Sequence, residues 1–234
     1  MSEDKSNINP RAALDRELMS LQEDLIRLGN QVESALARAM TALKERDLVL
    51  AEEVIGDDLK VNAGRFDIEE KSLSIIATQQ PAAGDLRSIV AVMNMVSDLE
   101  RMGDHAAGIA TLVTRMETLT GLDMPDELAS MAKLASDMLR DALAAYAERN
   151  EAAAYAIAGR DDEIDSRYSI LFRNLMDTIV EKPETTPIAL YYLFAGHNLE
   201  RIADRATNLA ERVIFLGSGQ VQELNPEPDE AAFN

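Results

Sequence analysis

The sequence contains no cysteine and no tryptophan, and aromatic residues make up only 4% of it. Without cysteine there can be no disulfide, no thiolate metal site and no cysteine nucleophile, and a reducing compartment is permitted. A sheet protein would want more aromatic and β-branched residues than this chain supplies, so the composition points to helix. Bases are also scarce: 23 Lys and Arg stand against 42 Asp and Glu, a net charge of −19. Such a chain repels a phosphate backbone, which argues against a nucleic-acid partner. No apolar run approaches the roughly eighteen residues of a membrane span, and the opening MSEDKSNINP lacks the basic-then-apolar pattern of a signal peptide. The expectation is a cytoplasmic protein that does not insert into a membrane.

Enzyme signatures are missing as well. There is no GxxxxGK[ST], no GxGxxG after a strand, no GxSxG and no HExxH. The residues three before the two histidines, His105 and His197, are Met102 and Phe194, so the Glu-x-x-His of di-iron carboxylate bundles is absent too. The chain is expected not to be an enzyme.

What is present is helical periodicity over 234 residues, 47% of them hydrophobic, enough to bury a substantial core. Leu14, Leu18, Leu21, Leu25, Leu28, Val32, Leu36, Ala39, Met40 and Leu43 recur at helical spacing and predict a first helix over 12–46. Asp47 is placed to cap a second helix, carrying among others Val54, Ile55, Leu59, Ile68, Leu73 and Ile76, that must stop near Gln80 because Pro81 follows. Asp85 is expected to cap a third, carrying Leu86, Ile89, Val90, Met93, Val96, Leu99, Ile109 and Leu112 up to the turn-forming GLDMPD at 121–126. The second half repeats the plan, with helices predicted over 126–149, 151–181 and 187–216. The methionines of MVSDLERM and MAKLASDM lie at core spacing.

The repetition extends to identity. Residues 98–110 and 198–210 agree at six of thirteen positions, including Leu99/Leu199, Glu100/Glu200, Arg101/Arg201 and Asp104/Asp204, where about one match is expected at ordinary frequencies. The chain is an internal duplication. The expected architecture is all-α: two duplicated antiparallel three-helix bundles, six helices, over 11–120 and 121–216, with a disordered polar segment at 1–10 and an acidic mobile tail at 217–234.

Glu100 and Asp104 lie one helical turn apart, as do Glu200 and Asp204, and like charges at that spacing repel by roughly 0.2–0.5 kcal/mol. Aligning VIGDDLKVN (54–62) with IAGRDDEID (157–165) adds Asp58/Asn62 and Asp161/Asp165 on the second helix of each half. Oxygen-rich clusters of this kind suit hard cations such as Mg²⁺, Mn²⁺, Ca²⁺ or ferric iron, with zinc less favoured. The competing reading is a salt-bridged face in which Arg101 bridges Asp98 and Asp104 and Arg201 serves Asp204, or an acidic docking surface for a basic partner. His105 lies off the carboxylate face and is expected to make a partly buried hydrogen bond, whereas His197 can reach Glu200 at i, i+3.

These residues, together with DLVLAEEVIGDD (47–58) leading to VN (61–62), IATQQPAAGDLRSI (76–89), DLERMGDHA (98–106) and NLERIADRATNLAERV (198–213), closely resemble the PhoU family of phosphate-specific transport accessory and signalling proteins. The match covers nearly everything from about 14 to 216. The resemblance implies two related three-helix bundles, often dimeric, and a cytoplasmic adaptor that couples the ATPase of a phosphate ABC importer to a phosphate-sensing histidine kinase and holds down the starvation regulon when phosphate is plentiful. The family's E/D-x-x-x-D metal motifs would transfer onto Glu100/Asp104, Glu200/Asp204 and Asp161/Asp165. Asp58/Asn62 departs from the pattern by an amide, and Ala203 and Arg205 stand where the first half has Gly103 and His105, so the two sites are expected to be unequal. A carboxylate-site metal-binding or metal-storage protein is the alternative.

Overall fold

The computed structural model describes residues 10–220 and Leu224. Helix α1 (Pro10–Glu45) buries Leu21, Leu25, Leu28, Val32, Leu36 and Leu43 at three- and four-residue spacing, so its apolar residues form one continuous face. It ends where Arg46 turns left-handed (φ 58°) and the Asp47 N–H donates back to the Ala42 carbonyl at 3.1 Å. Asp47 then caps α2 (Leu48–Gln79), accepting the Leu50 N–H at 3.0 Å. The second repeat builds the same turn with different residues. Arg149 is left-handed (φ 53°), the Asn150 N–H reaches the Ala145 carbonyl at 2.9 Å, and the Asn150 side chain accepts from the Ala153 N–H at 3.0 Å.

Helix α2 stops at a left-handed Gln80 before Pro81, as expected. Helix α3 (Ala83–Arg115), however, is capped at Ala82, not at Asp85. Asp85 sits three residues inside, where its carboxylate accepts the Ala82 N–H at 3.2 Å and the Arg11 guanidinium at 2.7 Å. It thus performs the reaching-back half of a capping box, a role an acid fills better at the third helical position than at the cap.

The second repeat comprises α4 (Asp126–Glu148), α5 (Glu151–Ala158), α6 (Asp161–Glu181), a 3-10 turn (Pro183–Thr185) and α7 (Thr186–Ser218). The helix expected over 151–181 is therefore broken at Gly159–Arg160, although α2 runs through the equivalent Gly56–Asp57. The break creates a helix N-terminus directly before Asp161, Asp162 and Glu163, three acids that favour the positive end of a helix dipole. Arg160 is anchored on α4, 2.6 Å from Asp141. At the chain ends, Pro10 opens α1 and α7 runs two residues into the stretch expected as a tail. The remaining parts of the two segments expected to be mobile, 1–9, 221–223 and 225–234, lie outside the described residues.

Helices α1, α2 and α3 pack together, α7 gathers α4, α5 and α6, and the repeats meet through α3 against α7 and α1 against α4. Gly29 permits the second of these contacts, since a Cβ there would come within 2.5 Å of the Leu143 side chain. Met95, Met102, Met131 and Met138 are fully buried, as their spacing predicted. Leu59, Leu73, Leu86 and Val90 share the apolar spacing but lie exposed, because α2 and α3 contact partners over only part of their circumference. Among the described residues there is no strand, and no helix is long and apolar enough to cross a membrane.

Candidate functional site

Helices α2 and α3 run side by side and bring the expected residues of the first repeat into one electrostatic cluster. Burial pushes the Asp58 carboxyl above its ordinary range, and the nearby Asp104 and Glu100 charges push it further, against the hydrogen bond from Asn62. Asn62 presents its amide nitrogen, donating to Asp58 Oδ2 at 2.9 Å. The other oxygen, Asp58 Oδ1, is buried without a hydrogen-bond partner and faces Gly103, whose missing side chain leaves room beside it: a Cβ there would stand 3.4 Å from that oxygen. An orphaned carboxylate oxygen in a carboxylate-rich cluster fits a hard cation or a proton.

Glu100 is held differently. Arg65, reaching over from α2, donates from Nη1 to Glu100 at 3.2 Å and from Nε to Glu69 at 2.9 Å. Its place was legible, three residues beyond Asn62 on the same face of α2. Arg101 lies 3.7 Å from Glu100 and 3.9 Å from Asp104, so its hold on either is loose. It does not bridge Asp98. That residue points away from the cluster and into the α3–α7 contact.

In the second repeat α6 and α7 bring Asp165 beside Glu200 and Asp204. Burial raises the Asp165 carboxyl, and Glu200, Asp204 and Asp162 raise it further. Asp204 is raised by burial against the opposing pull of Arg201, which pairs with it at 2.9 Å. His197 reaches Glu200 at 3.2 Å, the i, i+3 contact expected of it. The position of Arg65 is taken here by Tyr168, whose phenol is raised by burial and further by the Glu200 charge. Asp161 is buried at the start of α6. Among the described residues no three acids or histidines converge tightly enough, as they stand, to hold a metal ion. The carboxylates meet as charges along two helix pairs, and the second pair lacks the inter-helix arginine of the first.

The seam between repeats carries a reciprocal set of polar contacts. Asp98 on α3 accepts from Arg205 Nη1 at 3.3 Å and from Asn208 Nδ2 at 3.2 Å. Its duplicate on α7, Asn198, accepts from His105 Nδ1 at 3.0 Å, and Gly108, the duplicate of Asn208, passes within van der Waals reach of Asn198. Position i of one repeat thus meets position j of the other in both directions, which is how two like surfaces pack around a two-fold axis. Burial lowers the His105 pKa, so the ring is a neutral hydrogen-bonding group within the seam.

The model of the PhoU domain matches twice, over residues 25–113 and 128–213, one copy to each helical repeat. The phosphate-specific transport system accessory protein PhoU homolog of Clostridium acetobutylicum is 36% identical over 216 residues, covering 92% of this chain and 99% of the relative. That of Rhizobium meliloti is 36% identical over 229 residues, covering 96% and 95% respectively. The crystal structure of the phosphate transport system regulatory protein PhoU from Streptococcus pneumoniae superposes with a TM-score of 0.84 at 33% identity, over 90% of this chain and 99% of the other. PhoU from Pseudomonas aeruginosa gives the same TM-score at 32% identity, over 88% and 99%.

Proposed function

This chain belongs to the PhoU family, and from that premise we propose that it is a cytoplasmic, non-enzymatic adaptor that restrains phosphate uptake and the phosphate-starvation regulon when phosphate is plentiful. The observation that carries this reading is the end-to-end match to accessory and regulatory proteins of phosphate-specific transport, with both repeats represented. Its partners in this reading are the importer's ATPase subunit and the phosphate-sensing histidine kinase, and a second copy of the chain is a further one. Binding that favours the signalling-off state of the kinase supplies the regulation, since a ligand shifts an equilibrium only by its differential affinity for the two states.

A face suited to docking lies on α2. Leu59, Phe66 and Leu73 recur every seven residues and are 73%, 59% and 56% exposed. The acidic cluster of Asp58, Glu100 and Asp104 borders this stripe. An apolar strip beside carboxylates favours a partner whose own apolar surface is flanked by Lys and Arg. Deleting the gene should leave the starvation regulon active in rich phosphate, and the purified chain should capture the ATPase and the kinase. Normal repression in the deletion strain overturns the proposal.

A second reading, in which the carboxylate clusters bind metal ions such as Mg²⁺, Mn²⁺, iron or Zn²⁺, is supported by the orphaned Asp58 Oδ1 and by the three carboxylates whose charges act on Asp165. Asp58, Asn62, Glu100 and Asp104 would hold one ion, and Asp161, Asp165, Glu200 and Asp204 another. Elemental analysis of the native protein tests it.

A further inference from the structure

The duplication allows one arginine to be compared with its own copy. Arg46 and Arg149 occupy the same left-handed position after α1 and after α4. Both terminal nitrogens of Arg46 are fully used. The guanidinium donates from Nη1 to the carbonyls of Met116 (3.2 Å) and Leu119 (3.0 Å), and from Nη2 to the Leu122 carbonyl (3.4 Å) and the Tyr192 hydroxyl (3.0 Å). Among the described residues Arg149 makes none of the equivalent contacts. The duplicate of Tyr192 is Val92, which has no hydroxyl, and the Arg149 guanidinium makes no hydrogen bond or ion pair among the described residues.

Arg149 instead borders an open cleft of about 420 Å³ where α1, α3, α4 and the end of α7 meet. Arg11, Arg87, Gln22 and Ser88 line the same cleft, with Asp15 and Asp85. Both carboxylates are engaged by Arg11, at 2.9 and 2.7 Å. Arg87 has one long bond, 3.5 Å to the Leu216 carbonyl. Beyond the Arg11 ion pairs, the guanidiniums of Arg87 and Arg149 remain at the cleft, in a chain of net charge −19. The N-terminal turn of the 33-residue α3 opens onto it at Gly84, where nothing lies within 4 Å of a would-be Cβ.

We infer that this cleft binds a phosphate-class oxyanion, with Arg87 and Arg149 as its principal ligands. Guanidinium groups pair with such anions through two parallel N–H donors. Neutral carbonyls, which satisfy Arg46, would leave the excess charge of this cleft unanswered, and a cation would be repelled. Because Arg87 belongs to the first repeat and Arg149 to the second, a bound anion ties the repeats together, so its occupancy is coupled to their packing. Free phosphate and the phosphate of a nucleotide share this chemistry.

The test is calorimetric titration of the full chain with inorganic phosphate and, separately, with ATP, at ionic strength matched with chloride. One saturable site is expected for at least one of them. Affinity should fall at least tenfold in Arg149→Gln and in Arg87→Gln, partly recover in Arg149→Lys, and be unchanged in Arg101→Gln, whose arginine lies outside the cleft. Phosphate binding alone identifies the free anion as the ligand, and ATP binding alone identifies a nucleotide. Absence of saturable binding by both, or equal affinity in the two glutamine variants and the unaltered chain, overturns the inference. Neither arm involves the importer or the kinase, so its failure leaves the adaptor reading untouched.

Discussion

Asp98 of the first repeat and Arg205 of the second face each other across the seam at 3.3 Å, with Asp98 only 9% exposed. Burial pushes the Asp98 carboxyl up, and Asn208 and Arg205 on the opposite helix pull it part of the way back. Asp98→Ala removes the acceptor and strands Arg205 and Asn208 in the seam, at an expected cost of about 2–4 kcal/mol. Asp98→Asn keeps an acceptor and should cost about half as much. Urea denaturation of the two variants checks the order, and equal stability of the alanine variant and the unaltered chain would remove the seam contact from any structural role.

The acids of the two clusters set a pH dependence. Asp58, Asp165 and Asp204, like Asp98, have folded pKa values raised above the unfolded ones, chiefly by burial. Groups of this kind contribute stability that is complete below the unfolded pKa and is lost as pH rises through the folded pKa. Asp24, Asp57, Asp85 and Asp137 are lowered, Asp57, Asp85 and Asp137 by hydrogen bonds from Arg or Lys, and their contribution is lost only as pH falls below the unfolded value, about 3.8. The melting temperature should therefore rise as pH is brought down from neutral toward the unfolded carboxyl value of 3.8, and then fall in stronger acid. Asp58→Asn and Asp165→Asn together should flatten the rising limb. A melting temperature that declines steadily from pH 7 contradicts this assignment.

The large features were open to sequence reasoning because they rest on periodicity and repetition. Six identities in thirteen positions announced the duplication, and Pro81 announced the end of α2. The capping turns were half visible: Asp47 was placed correctly, while Asp85 was misplaced by three residues because an acid suits both the cap and the third helical position. The break at Gly159–Arg160 was hidden, since the equivalent Gly56–Asp57 in α2 remains helical. Exposure of Leu59 and Leu73 was hidden too, because apolar spacing does not say whether a neighbour covers the face. At the clusters, pairing of helices by duplication placed Asp58 near Glu100 and Asp104. The Arg65–Glu100 contact needed the inter-helix register, and the reciprocal seam of Asp98 with Arg205 needed the packing of one repeat on the other.

The register also explains why the two clusters should differ toward cations. Arg65 pairs with Glu100 in the first and Asn62 contributes an amide; the second has Tyr168 and Asp165 at these positions, so that Arg201 on Asp204 and His197 on Glu200 are the bases paired with its carboxylates. Titration with Mn²⁺ should load the second cluster first. Changing Arg65→Gln and Asn62→Asp together frees one carboxylate and adds another, and should raise affinity at the first cluster at least tenfold, equivalent to about 1.4 kcal/mol. Unchanged affinity in that double variant would show that these two positions do not govern cation binding.

The α2 stripe offers the sharpest separation of function from folding. Phe66 is more than half exposed, its ring lies 5.1 Å from the Arg65 guanidinium, and it has no part in the buried core. An exposed substitution remote from the core typically changes stability by less than about 0.5 kcal/mol, whereas loss of an aromatic anchor at the centre of an interface costs about 2 kcal/mol or more, some thirtyfold in affinity. Phe66→Asp should therefore leave the melting temperature nearly unchanged while weakening capture of the importer ATPase or the kinase at least thirtyfold. Val180→Asp, at an exposed apolar site near the end of α6, should weaken neither. The stripe also predicts how the loss depends on salt. Removing the apolar anchor should leave the salt dependence of residual binding in place, since the flanking carboxylates still attract a basic partner, whereas Asp104→Asn should reduce that dependence and leave the apolar contact intact. If Phe66→Asp and Asp104→Asn both bind as the unaltered chain does, the docking face lies elsewhere on the molecule.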